Sequence, residues 1–413
     1  MRSLYTLFLR FALPFVLMRL WWRGRAEPLY REAIPERFGR YDGDRPEKLI
    51  WIHAVSVGEA RAAQPLVRAL AGAFADHSIL MTCTTAAGRE TLKDLYGESV
   101  LAAYLPYDLP EAVQRFLEYY RPRLGVLMET ELWPNLLVQC ATNAVPMLLA
   151  NARLSEKSAR GYRRWDRLSR PALNSLAAVC AQSAADAARL RALGARYVEV
   201  TGNLKFDVEL NAGQLSAGRD WRAEVARPVV LLASTREGEE QMLLLPAANV
   251  GKALIVVVPR HARRFDEVAQ WAQSRRSRQP LPGPADRVHL GDTMGEMAFY
   301  YAACDVAVIG GSFAPLGGQN LIEALAAGAP VIVGPHMYNF AEATRLALEA
   351  GAALQVADAA AAMTQAASLL ADEGARRRMS EAGKSLCAAH RGATARHLKV
   401  CSSLLVDRKE QAL

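Results

Sequence analysis

The sequence predicts an α/β protein of two doubly wound domains in tandem, carried behind an apolar N-terminal helix. Apolar runs of strand length alternate with stretches of helical composition, the pattern of parallel sheets covered on both faces. The alternation stops in a polar stretch, 207–227, and restarts at PVVLLAS (228–234). The 413 residues are also too many for one domain at ~150 residues each. With 51% hydrophobic and 22% charged residues the composition is globular, which excludes general disorder and a fibrous architecture.

From Leu4 to Trp22 the chain reads LYTLFLRFALPFVLMRLWW. A spanning helix wants ~20 apolar residues, so the length just suffices. Arg10 opposes it, because an arginine near mid-bilayer costs roughly 2.5–3.5 kcal/mol. Arg10 and Arg19 stand ~180° apart on a helical wheel and share no polar face. Trp21 and Trp22 suit the membrane interface, and Arg23 and Arg25 follow as positive charge left in the cytoplasm. No small-residue cleavage site follows the run. Residues 1–25 therefore read as an uncleaved membrane anchor, either crossing the bilayer or lying in its interface, with the rest of the chain cytoplasmic.

The first domain is expected over 26–206, with strands at 49–55, 78–83, 124–129, 146–151, 176–182 and 197–202 and helices at 61–71 and 111–120 between them. Residues 207–227 read as a linker. The second domain, 228–390, has strands at 228–234, 253–259, 287–292, 305–311, 330–335 and 352–358. A C-terminal helix, 391–413, is expected to pack back on the first domain. Two such domains are the GT-B glycosyltransferase plan, with a central cleft facing the carboxyl ends of both sheets, where open α/β sheets bind ligands.

Polar residues cluster just past those strand ends. HAVSVGE (53–59) puts Glu59 at the opening of a helix, whose positive end favours the ionised carboxylate. It is either a base or a helix cap. METELWPN (128–135) brings Glu129 and Glu131, and TGNLKFD (201–207) brings Lys205. In the second half GGSFAPLGGQNLIEA (310–324) follows a buried strand and opens a helix; its glycines allow close backbone approach and the helix offers N–H groups to a phosphate. Asn320 and Glu323 fall in that helix's first turn, where Glu323 could accept from a ribose. VPRHARRF (258–265) supplies Arg260 for a phosphate or carboxylate, with Arg263 and Arg264 assigned to a helix surface. GDTMGEM (291–297) and ASTREGEE (233–240), with Ser234 and Thr235, repeat the strand-end arrangement.

Neither G-x-G-x-x-G nor a Walker A loop occurs. The seven histidines are dispersed, and Asp42-Gly43-Asp44 has D-x-D spacing but lies in a polar loop before the first strand, where it reads as a turn. No metal and no cofactor are expected. Six scattered cysteines without a C-x-x-C pair argue against a disulfide framework and against a cysteine-rich zinc site. The net charge of +8 fits anionic small molecules or an anionic membrane surface, and no nucleic-acid partner is expected.

Taken together and in this order, HAVSVGE, METELWPN, NARLSEKSARGY, TGNLKFD, GDTMGE and GGQNLIE resemble the 3-deoxy-D-manno-octulosonic acid (Kdo) transferases of lipopolysaccharide synthesis, over nearly the whole chain. The resemblance implies an inverting, metal-independent enzyme at the cytoplasmic face of the bacterial inner membrane, moving Kdo from a CMP-Kdo donor to a lipid A precursor acceptor. It implies Glu59 as general base and Glu129 with Lys205 as the pair stabilising the transition state. It further implies Pro259, Arg260, Met294, Gly295, Glu296, Asn320, Leu321, Ile322 and Glu323 around CMP. The family pattern has Pro after Asn320, where this chain has Leu321. The segment 151–162 reads either as an acceptor-side loop, its Arg153, Lys157 and Arg160 (with Arg163 and Arg164 beyond) meeting lipid phosphates, or as a solvated helix face. The rival readings are another GT-B enzyme using a UDP-sugar, in the manner of a lipid A disaccharide synthase or an epimerase, and a non-catalytic nucleotide-sugar sensor.

Overall fold

The structure, a computed structural model, describes residues 1–25, 28–43 and 45–410. The chain divides into two compact units, residues 1–207 with 392–413, and residues 208–391.

The first unit is built on strands β1 (Leu49–His53), β2 (Ser78–Cys83), β3 (Leu101–Tyr104), β4 (Leu124–Met128), β5 (Met147–Ala152), β6 (Ala178–Ala181) and β7 (Val198–Val200). They form one parallel sheet in the order β3-β2-β1-β4-β5-β6-β7. Every residue of β1, β4 and β5 is buried, which is why these strands read as unbroken apolar runs. The aromatic part of the core centres on Trp51 against Phe116, ring centres 4.9 Å apart.

The second unit repeats the plan with β8 (Val229–Thr235), β9 (Leu254–Pro259), β10 (Ser274–Arg275), β11 (Val288–Leu290), β12 (Val306–Ile309), β13 (Val331–Val333) and β14 (Ala353–Gln355). Their order is β10-β11-β9-β8-β12-β13-β14, again parallel throughout. In each sheet the strand order reverses beside the first strand, between β1 and β4 and between β8 and β12. Crossovers leave in opposite directions there and open a crevice at the strands' carboxyl ends.

Each sheet has seven strands where sequence reasoning found six. β3 was missed because LAAY is short and half-exposed, and β10 because it is two residues long. The helix expected at 61–71 is two, Val57–Ala62 and Gln64–Ala73, broken where Pro65 begins the second. The stretch read as a linker is corrected: Ala212–Val225 is a helix capped by Asn211. It packs on the helix Met297–Ala302 so closely that a Cβ on Gly218 would sit 2.3 Å from the Phe299 carbonyl oxygen. Only Gly218 and Trp221 of that helix are buried, so its sequence looks polar enough for a linker. The closing helix, Ala393–Glu410, belongs to the first unit, where Asp207 accepts from the Gly392 and Thr394 N–H groups. In the 42–44 turn Gly43 has φ 100°, and Asp44 lies outside the described residues.

Candidate functional site

The first cluster stands at the carboxyl ends of β1 and β4, which pair directly with each other. Ser56 caps the helix Val57–Ala62, accepting from the Glu59 N–H. In return Glu59 takes a hydrogen bond from the Val55 N–H at 2.9 Å and one from the Ser56 hydroxyl at 3.1 Å. Glu59 is thus a capping residue, and the cap fixes the carboxylate where β1 ends. Burial pushes its carboxyl up to about 7, opposed by the Val55 hydrogen bond and reinforced by the charges of Glu129 and Glu131. The helix end favours the ionised form, as the sequence suggests, but desolvation and two like charges outweigh it.

Glu129 follows β4 with φ 59°, a left-handed conformation that costs a non-glycine residue about 1–3 kcal/mol. The turn aims its buried side chain at two cations, Lys205 Nζ at 2.9 Å from Oε1 and Arg153 Nε at 3.4 Å from Oε2. Glu131, half-buried, is also pushed up by burial, helped by Glu129. Three carboxylates and two cations therefore share one strand-end crevice.

Lys205 owes its position to a buried polar lattice. The Asn203 side chain accepts from the Lys205 N–H at 3.0 Å and donates to Gln182, which donates to the Asn151 carbonyl at 2.8 Å. Asn151, at φ 53°, accepts from the Leu204 N–H at 3.0 Å, and its own N–H donates to His397 Nε2 at 2.9 Å. His397 comes from the closing helix, so that helix underpins the crevice. Its Nδ1 faces the Ala393 carbonyl at 2.7 Å, and burial holds the ring down at about 4, which keeps it neutral. Sequence reasoning missed Asn151 and His397 as positioning residues; for Asn151 the N-A-R motif closing β5 was the available signal. Arg153, read as meeting either lipid phosphates or solvent, turns its side chain to Glu129. Lys157, Arg160, Arg163 and Arg164 lie exposed, all four on the helix Glu156–Arg164, so most of that segment is a solvated helix face.

The second cluster lies past β8, β9, β11 and β12. Gly310 passes so close to β8 that a Cβ would meet Ser234 O and Thr235 Cα at 2.6 Å. The loop after it turns several of its N–H groups inward, onto a buried carboxylate. Glu239, wholly buried, accepts from Gly311 at 2.5 Å, Phe313 at 2.9 Å, Ala314 at 3.3 Å and Arg236 at 2.9 Å. The Ile322 N–H is likewise taken, by Asn320 Oδ1 at 3.0 Å, while Asn320 Nδ2 donates to Glu323 at 2.8 Å. Burial pushes the Glu323 carboxyl up, and the Asn320 hydrogen bond and nearby Arg260 pull it back. Leu321 and Ile322 bury their side chains in the core, leaving only backbone to a ligand.

Pro259 ends β9 and Arg260 stands half-buried after it. Arg264 is corrected from a helix surface to the interior, bound in two places to buried Glu240 at 2.7 and 3.0 Å, while Arg263 is exposed. In the GDTMGEM loop Met294 is exposed and Gly295 has φ 79°. Glu296 is held by Arg276 at 2.9 Å and by the Thr293 hydroxyl, and the guanidinium keeps its carboxyl below the usual range. Arg260, Glu323 and Asn320 thus form one electrostatic group, and Glu296 with Arg276 another.

Against known proteins, residues 32–208 match the family described as 3-Deoxy-D-manno-octulosonic-acid transferase (kdotransferase), and residues 283–386 match Glycosyl transferases group 1. A 3-deoxy-D-manno-octulosonic acid transferase of Bordetella pertussis is 48% identical over 96% of this chain and 98% of its own. The Haemophilus influenzae protein of that name is 36% identical over 98% of this chain and 99% of its own. Among solved structures, Acinetobacter baumannii MurG aligns with TM-score 0.56 at 12% identity, covering 87% of this chain and all of that one, a likeness that shows the GT-B fold alone. Identity at that level along almost the full length of both chains leaves one assignment: this chain is a glycosyltransferase belonging to the 3-deoxy-D-manno-octulosonic acid (Kdo) transferase family.

Proposed function

We propose that this enzyme moves Kdo from CMP-Kdo to lipid IVA, the lipid A precursor, with inversion, at the cytoplasmic face of the inner membrane. The observation that carries the mechanism is the state of Glu59. A carboxyl pushed up to about 7 beside an opposed set of charges is matched to take a proton near neutral pH. Glu59 removes the proton of the acceptor hydroxyl as its oxygen forms the new bond to the anomeric carbon. The bond from that carbon to the CMP phosphate breaks, and CMP leaves with the electron pair. A single base on the face opposite the leaving group gives inversion.

Lys205 and Arg153 both pair with Glu129, and the two cations it holds in place are the groups that face the anionic sugar in the transition state. On the second unit, Arg260 neutralises the phosphate, while Asn320 and Glu323 meet the ribose or base. Backbone at Pro259, Met294, Gly295, Leu321 and Ile322 shapes the nucleotide pocket, and Glu296, held by Arg276, closes it. With charge supplied by side chains, the reaction needs no metal.

Mass spectrometry of a tetraacylated lipid A precursor incubated with the enzyme and CMP-Kdo tests this. A gain of Kdo mass is expected, unchanged by EDTA and by UDP, competed by CMP, and reduced roughly 10²–10⁴-fold in Glu59→Gln. No gain with folded protein, or full activity in Glu59→Gln, overturns it.

A further inference from the structure

The N-terminal helix Arg2–Arg23 has no buried residue, yet its two sides differ. Leu4, Phe8, Phe11, Phe15, Met18 and Trp22 are all exposed and recur every three or four residues, and exposed Leu7 and Trp21 widen the stripe on one side to about 140° in all. Tyr5, Thr6, Leu9, Leu13 and Leu17, on the opposite side, are partly covered. Arg10 and Arg19, which share no polar face, take a simple place in this arrangement: they stand at the two borders of the exposed stripe.

The helix is also tied to the first unit along its length. The Tyr5 hydroxyl lies beside the Asp108 carboxylate, and Thr6 Oγ1 accepts from Asn135 Nδ2 at 3.0 Å. Arg10 pairs with Glu111 at 3.2 Å, on the helix Pro110–Tyr120. At the far end Arg31 donates to the Trp21 carbonyl at 2.9 Å and stacks over the Trp21 ring. A helix crossing the bilayer carries Arg10 to mid-membrane and breaks all of the first three contacts. A helix lying in the bilayer surface keeps them.

Taking the membrane partnership of the proposed function as its starting point, we propose that this helix lies in the plane of one leaflet and does not cross it. The apolar stripe enters the acyl region, and Arg10 and Arg19 reach the headgroups from its two sides. The first 25 residues hold five arginines and no acidic residue, so the leaflet it fits is an anionic one.

The test uses the full chain bound to phosphatidylethanolamine–phosphatidylglycerol liposomes. Ser3→Cys, treated with a membrane-impermeant maleimide added outside, should label fully before detergent lysis, as should any site beside the catalytic units. Labelling only after lysis means that the N-terminus has crossed, and overturns the proposal. Arg10→Cys with Glu111→Cys should be joined by a short bismaleimide on the liposomes; absence of the link there, with the link present in detergent, also overturns it. Phe8→Gln and Phe15→Gln should each weaken flotation roughly tenfold or more. A chain that never floats but sediments as a dimer assigns the stripe to a second copy and sinks the proposal. Kdo transfer is assayed separately, so the proposed activity can fail while the helix placement stands, and the reverse.

Discussion

Glu59 shows how a residue's chemistry is set by what folding brings near it. Its carboxyl is lifted by burial and by Glu129 and Glu131, which arrive from a strand about 70 residues away in sequence but adjacent in the sheet. As a base it must be ionised, so kcat/KM should fall as pH drops through about 7, with unit slope. Glu129→Gln removes a negative charge that raises Glu59, so the acid limb of the residual activity should move to lower pH. Lys205→Met leaves Glu129 less compensated and should move it to higher pH. A pH–rate series on the three proteins checks both signs; limbs that do not move would detach Glu59 from this charge cluster. Glu59, Glu129, Glu131 and Lys205 were each legible in the sequence as strand-end residues, whereas the charge that Glu129 and Glu131 exert on Glu59 was not, because proximity across a sheet leaves no local pattern.

At the scale of elements, two supports were invisible to sequence reasoning. Glu239 gathers four backbone N–H groups and so fixes the glycine loop that follows β12. In Glu239→Gln one acceptor oxygen becomes an NH₂ that opposes those donors. The loop should loosen, raising KM for CMP-Kdo several-fold more than it lowers kcat and costing about 1–3 kcal/mol of stability. Steady-state kinetics with denaturant titration reads both, and an unchanged KM would show that the loop does not touch the donor. His397 supports β5 from the closing helix as a neutral ring, its folded proton affinity lowered to about 4. A histidine depressed in this way contributes stability that is present above its unfolded value of about 6.5 and lost as pH falls towards 4. The stability gap between the native protein and His397→Gln should therefore be of order 1–3 kcal/mol at pH 7.5 and shrink below pH 6.5. Urea titrations at several pH values measure it, and a gap constant with pH would deny the neutral-ring role.

For the whole molecule, the N-terminal helix contributes no buried residue to either core. Deleting residues 1–25 should move the protein to the soluble fraction while leaving its thermal transition within a few degrees of the full chain's, because few apolar contacts are lost. Transfer to the lipid acceptor should drop much more than binding of CMP, which isothermal titration measures directly. Persistent membrane binding after the deletion would place the membrane contact elsewhere on the surface.

The sequence by itself determined the architecture. Fully buried parallel strands must be apolar throughout, and crossover helices must be amphipathic, so both signals lie within a few residues of one another. Glycines such as Gly310 mark close backbone approach for the same local reason, and the strand-end motifs could be placed once the strands were. Tertiary structure alone decided the rest: that Arg153 faces Glu129 and Arg264 faces the interior, that Glu239 fills the loop expected to hold a phosphate, and that 212–225 is a packed helix. It also decided that Arg10 and Arg19 border a single exposed stripe. These are pairings between distant segments, fixed by desolvation and Coulomb attraction between groups that meet only when the sheet forms.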